Sequence, residues 1–134
     1  MLVQNTNKLI LDACAWIEYL SGTEKGKRIR DELTKPLTMV HTTGMIVAEV
    51  ITKRLKEGKP TDTALLAMKS IGIIVPMDFS IGEQTAHIYV QQRARQKKFG
   101  LVDAHVVAVA KAVGAKVITC DLDFSGLPNV LIVQ

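Results

Sequence analysis

Short aliphatic runs alternate with helix-length segments along most of this chain, and two of those runs lead into an aspartate. Lys8-Leu9-Ile10-Leu11 ends at Asp12, and Lys116-Val117-Ile118-Thr119 is followed after one residue by Asp121. Continuous aliphatic runs of this length suit the strands of a parallel sheet, which are covered by helices on both faces. The alternation therefore predicts an α/β fold with a mainly parallel sheet. Ligands of such sheets bind beyond the carboxyl ends of the strands, where Asp12 and Asp121 are expected to stand.

The remaining elements follow from periodicity and breakers. Trp16, Ile17 and Leu20 share a helical face that Gly22 closes, and a charged helix over roughly 23–34 ends before Pro36. Leu37–Val40 is a second strand, and Thr42 or Thr43 caps a helix that runs to Gly58-Lys59-Pro60. A helix over 61–70, a strand at Ile73–Val75 and a long helix over 80–98 come next. Asp103 opens an Ala/Val-rich helix to Val113, and strands at 116–119 and 130–133 complete five. There is no repeat and no linker, so residues 1–134 read as a single domain.

Apolar residues make up 48% of the chain, mostly aliphatic, which excludes a disordered chain and provides a core without disulfide staples. Cys14 and Cys120 form no spaced framework, so a reducing cytoplasmic setting is expected. Neither a leader nor a membrane span is expected, since the first residues are polar and no apolar run is long enough. The net charge of +4 favours polyanionic partners slightly.

Four acids are singled out by position. Asp12 and Asp121 follow strands, Glu49 borders the apolar arc of its helix, and Asp103 starts a nearly uncharged one. Each also has a simpler reading: Asp12 and Asp103 as helix caps, Glu49 as the i,i+4 partner of Lys53, Asp121 and Asp123 as turn residues. Acids converging from separate elements repel unless a cation or shared proton compensates. A hard divalent ion takes oxygen ligands and retains waters, which matches a carboxylate-only set.

Taken together, these residues resemble the PIN-domain ribonucleases, and in particular the VapC-type toxins of toxin–antitoxin pairs. The resemblance rests on Leu9-Ile10-Leu11-Asp12-Ala13-Cys14-Ala15-Trp16-Ile17, on Ala48-Glu49-Val50, and on Gly100-Leu101-Val102-Asp103-Ala104. It continues through Ala108 and Gly114-Ala115-Lys116-Val117-Ile118-Thr119-Cys120-Asp121-Leu122-Asp123-Phe124, spanning almost the whole chain. It implies a three-layer α/β/α sandwich, often dimeric, with Mg²⁺ or Mn²⁺ held by Asp12, Glu49, Asp103 and Asp121 directly or through water. Thr119 and Asp123 would support that site. The implied reaction is RNA phosphodiester hydrolysis by a metal-activated water, with an antitoxin protein as partner. Position 14 departs from the family, which usually carries Ser or Thr where this chain has Cys14; a thiol is the poorer hydrogen-bond partner. A catalytically silent module of the same fold, binding RNA or a protein, is the alternative.

Arg93, Arg95, Lys97 and Lys98 read either as a solvated helix end or as a track for the RNA backbone. His105 reads as a surface or partly buried histidine, and Trp16 as a core anchor. A zinc site from Cys14, Cys120 and a histidine matches no standard spacing.

Overall fold

The computed structural model describes residues 5–134. Met1–Gln4, part of the polar start read above as carrying no leader, lie outside the described residues. Among the described residues five strands form one sheet: β1 (Asn7–Leu11), β2 (Thr38–Thr42), β3 (Gly72–Ile74), β4 (Lys116–Thr119) and β5 (Val130–Ile132). Their order is β3-β2-β1-β4-β5, and every neighbouring pair is parallel. The described α-helices are α1 (Ala13–Ser21), α2 (Glu24–Leu33), α3 (Gly44–Lys56), α4 (Asp62–Ile71), α5 (Phe79–Arg93) and α6 (Leu101–Val113). None of the described helices is long and apolar enough to cross a membrane.

Leu9, Ile10 and Leu11 are all fully buried. Successive side chains of a strand point to opposite faces, so both faces of the central strand are covered and the architecture is a three-layer sandwich. The chain moves outward from β1 to β2 and β3, then returns through α5 and α6 to place β4 on the other side of β1. This reversal opens a crevice at the carboxyl ends of β1 and β4.

Several boundaries differ from the sequence reading, three of them with a clear physical reason. Leu37 has φ of 59° and cannot be strand, so β2 starts at Thr38 and runs on to Thr42. Helix α5 stops at Arg93 instead of Lys98, with Arg95 N and Gln96 N both donating to Gln92 O at 2.9 and 2.8 Å. That turn carries Phe99 into the core, edge-to-face on Phe124 with centroids 5.4 Å apart. Burying a phenylalanine is worth roughly 2–3 kcal/mol, whereas a few more basic helical residues offer tenths each. Helix α6 starts at Leu101, so Asp103 lies inside its first turn rather than at its opening.

The α1–α2 crossing depends on Gly26. A Cβ there would lie 2.0 Å from the Glu18 carbonyl oxygen and 3.1 Å from the Tyr19 Cα. Backbone cannot yield as a side-chain tip can, so Gly26→Ala is expected to cost about 2–3 kcal/mol. Gly44, at the start of α3, has nothing within 4 Å of its missing Cβ, and Gly44→Ala should be neutral or stabilise by about 0.5–1 kcal/mol. Urea midpoints of the two variants test this pair; equal midpoints would show that α2 simply shifts aside.

Candidate active site

Asp12 is the N-cap of α1 and is 5% exposed. Its carboxylate accepts from Ala15 N at 3.0 Å and from the Cys14 thiol at 3.0 Å through Oδ1, and from the Thr119 hydroxyl at 2.5 Å through Oδ2. The capping reading holds, with Oδ1 capping α1 while Oδ2 faces β4. Parallel pairing of Leu11 with Ile118 puts Asp12 beside Thr119. The fully buried Thr119 hydroxyl also accepts from Asp121 N at 3.0 Å, fixing the turn that carries the second acid. Asp121 Oδ1 in turn accepts from Asp123 N at 2.8 Å.

Asp103 Oδ2 accepts from Gly100 N at 2.7 Å, which orients the carboxylate over the start of α6. Glu49 is exposed on α3, and its expected partner Lys53 is bonded instead to Glu57 at 3.3 Å. The helix bearing Glu49 is tied to the one bearing Asp103: Thr43, the N-cap of α3, meets Nε2 of His105 at 2.9 Å. His105 is 4% exposed, more buried than a surface histidine, and burial pushes its pKa down.

Asp12, Glu49, Asp103 and Asp121 line one cleft of about 420 Å³, with Cys14, Glu18 and Lys53 among its other walls. Glu18 was missed in the sequence, although it lies one turn beyond Cys14 on α1 and so on the same face. Burial pushes the Asp103 carboxyl up to about 6, opposed by the Gly100 hydrogen bond and reinforced by Asp121, Asp12 and Asp123. Burial raises Asp12 as well, against the pull of its hydrogen bonds, and Asp121 adds to the rise. Glu49 is raised by burial and then by Asp103 and Asp12. Five acids against one lysine, itself bonded to Glu57, make the cleft strongly negative in a chain of net charge +4.

The Cys14 thiol keeps the donor role its position needs, giving its proton to Asp12 and accepting from Cys120 N at 3.4 Å. Burial, then the Asp12 charge, push its pKa up, so it remains a thiol. Nothing in the residue pattern announces Cys120 as its neighbour beyond both cysteines following a strand. Among the described residues no group of three or more His, Cys, Asp or Glu side chains is close enough together to hold a metal ion as the side chains stand. Open placement with hard oxygen donors fits an ion that retains waters.

The basic cluster is not part of this cleft. Arg93 donates to the Tyr89 hydroxyl at 2.8 Å and the Phe99 carbonyl at 3.2 Å, and lies over the Tyr89 ring. Arg95, Lys97 and Lys98 are exposed in the turn that follows. Trp16 is fully buried, as a core anchor should be.

A PIN-domain profile matches residues 9–129, which include all four acids. The chain belongs to the PIN-domain family. A comparison with curated proteins finds no match. Solved structures share the PIN-type fold across nearly their full lengths. A toxin–antitoxin complex from Klebsiella pneumoniae is 24% identical with a TM-score of 0.69, covering 94% of this chain and 98% of that one. VapC20 of Mycobacterium tuberculosis, a sarcin–ricin loop cleaving toxin, is 17% identical with a TM-score of 0.72, covering 94% and 99%. DNA-bound VapBC from Salmonella typhimurium is 20% identical with a TM-score of 0.67, covering 95% and 97%. At these identities the likeness speaks for the fold.

Proposed function

We propose that this PIN domain is a Mg²⁺- or Mn²⁺-dependent endoribonuclease acting as the toxin of a toxin–antitoxin pair. The observation that carries the reading is the cleft lined by Asp12, Glu49, Asp103 and Asp121, where burial and then the neighbouring carboxylates raise the proton affinity of Asp12, Glu49 and Asp103 without a free basic partner. A bound divalent ion would supply an activated water and offset charge on the phosphate oxygens. Asp12, Glu49, Asp103 and Asp121 would hold it, directly or through water. Thr119 and Cys14 hold the Asp12 carboxylate in one orientation, and Asp123 supports the turn of Asp121.

The exposed Arg95, Lys97 and Lys98 offer the RNA backbone a cationic approach outside the acidic cleft. Arg93 contributes less, its guanidinium being held by Tyr89 and Phe99. An antitoxin is the expected protein partner, since two of the fold neighbours were solved as toxin–antitoxin assemblies, and a basic side chain from it would complement the cleft. A homodimer would cover the exposed Ile73, Ile74, Met77 and Phe79 along the β3 edge.

Cleavage of mixed single-stranded and structured RNAs by the partner-free protein, with Mg²⁺, Mn²⁺ or EDTA, tests the reading beside Asp103→Asn. Cleavage should require the ion and vanish in the variant. Binding of RNA without any product, by folded wild-type protein with either ion, would leave the silent module as the correct reading.

A further inference from the structure

Cys14 and Cys120 are distant in sequence but adjacent in space. Cys14 Sγ is 3.4 Å from Cys120 N and accepts its hydrogen bond. Both are free and half-buried. With standard bond lengths the 3.4 Å contact keeps their Cα atoms within roughly 8 Å. A small inward movement at the start of α1 then reaches the disulfide range of about 4.4–6.8 Å. Such a bond would not be silent, because Cys14 is also the donor to Asp12 Oδ1 at 3.0 Å.

We propose that Cys14 and Cys120 are an oxidation site, at which a peroxide forms an intramolecular disulfide that releases Asp12 from Cys14. The Cys120 sulfur attacks one peroxide oxygen to give a sulfenic acid and one water. The Cys14 sulfur then attacks the sulfenic sulfur, the S–S bond forms, and the hydroxyl leaves with the Cys14 proton as a second water. Two thiols are oxidised and one peroxide is reduced. The lost proton is the one that Asp12 accepts, and the sulfur is drawn toward β4. The carboxylate keeps Ala15 and Thr119 but loses one of the two donors to Oδ1. In a reducing setting the bond is transient, as sensing disulfides are.

The consequence for RNA cleavage rests on the nuclease reading; the crosslink does not. The purified, reduced full chain is treated with hydrogen peroxide, then analysed by maleimide labelling and peptide mass mapping. The expected product is one monomer, lighter by two hydrogens at the joined Cys14 and Cys120 peptides, with neither thiol open to maleimide. RNA cleavage should fall about tenfold or more, as removal of a hydrogen bond to a reacting-centre carboxylate predicts, and dithiothreitol should restore it. Cys120→Ala, and Cys120→Ser as a size control, should cleave as the reduced wild type does and keep that activity through peroxide. Thiols that stay labelled, crosslinks only between chains, or equal peroxide loss in the Cys120 variants would each overturn the proposal. A joined pair in a protein that cleaves no RNA even when reduced would instead count against the nuclease reading alone.

Discussion

Asp12→Asn is expected to lower metal-dependent RNA cleavage by about a thousandfold, the upper range for losing one electrostatic group at a reacting centre. The substitution preserves shape but replaces an oxygen with an NH₂. Oδ1 accepts from the Ala15 amide and the Cys14 thiol, and Oδ2 from the Thr119 hydroxyl. Whichever end carries the NH₂ meets a donor, so the side chain is misaligned as well as neutral. Thr119→Val, which leaves the charge and removes only its orienting partner, should lose about 10–100-fold. Single-turnover cleavage under saturating Mn²⁺ ranks the two, with thermal melting to confirm that both fold. Asp12→Asn cleaving within about threefold of wild type would remove Asp12 from the reaction, whatever its place in the cleft.

Much of this arrangement was legible in the sequence, for a physical reason. Leu9-Ile10-Leu11-Asp12 and Val117-Ile118-Thr119 announce buried parallel strands because only strands covered on both faces are aliphatic at successive positions. An acid placed directly after such a strand has to emerge at its carboxyl end. Less legible was whatever long-range packing decides. Phe99 lies just past the helix read over 80–98, yet it is its burial against Phe124 that ends α5 early and sends Arg95, Lys97 and Lys98 into a turn. Lys53 offered Glu49 an i,i+4 partner, but Glu57 offered Lys53 the same spacing toward the helix end and took it. The bond between His105 and Thr43 joins residues on two separate helices, with no periodicity to announce it. The contact of Cys14 with Cys120 had no signal either, since it depends on β4 lying next to β1.

Asp103→Asn should stabilise the metal-free protein at neutral pH and destabilise it relative to wild type once Mn²⁺ is present. Asp103 titrates near 6 in the folded chain, above its ordinary value of 3.8. Between those values the folded state binds more protons than the unfolded state, so stability from this group falls as pH rises. It is fully present below about pH 4 and gone above the folded value near 6. Because the side chain is half-open to solvent, its contribution is about 1–2 kcal/mol after allowing for screening. Asparagine mimics the protonated acid and can still accept from Gly100 N. In EDTA the variant should therefore match wild type near pH 4 and exceed it at pH 7.5. His41 and His105 push the other way, since burial lowers both pKa values and favours folding as pH rises. Those groups are common to the two proteins and cancel in the difference. A divalent ion that binds the ionised cleft would invert the ranking, stabilising by mass action by about 2.7 kcal/mol at a hundred times Kd. Losing one carboxylate should raise the Mn²⁺ Kd about tenfold or more, so calorimetric melts should cross between EDTA and saturating Mn²⁺. Melting curves that keep the same order in both conditions would mean that the cleft's mutual repulsion is not what an ion relieves. The acids would then be a structural network of caps and turns, and the case for metal-dependent cleavage would lose its physical basis.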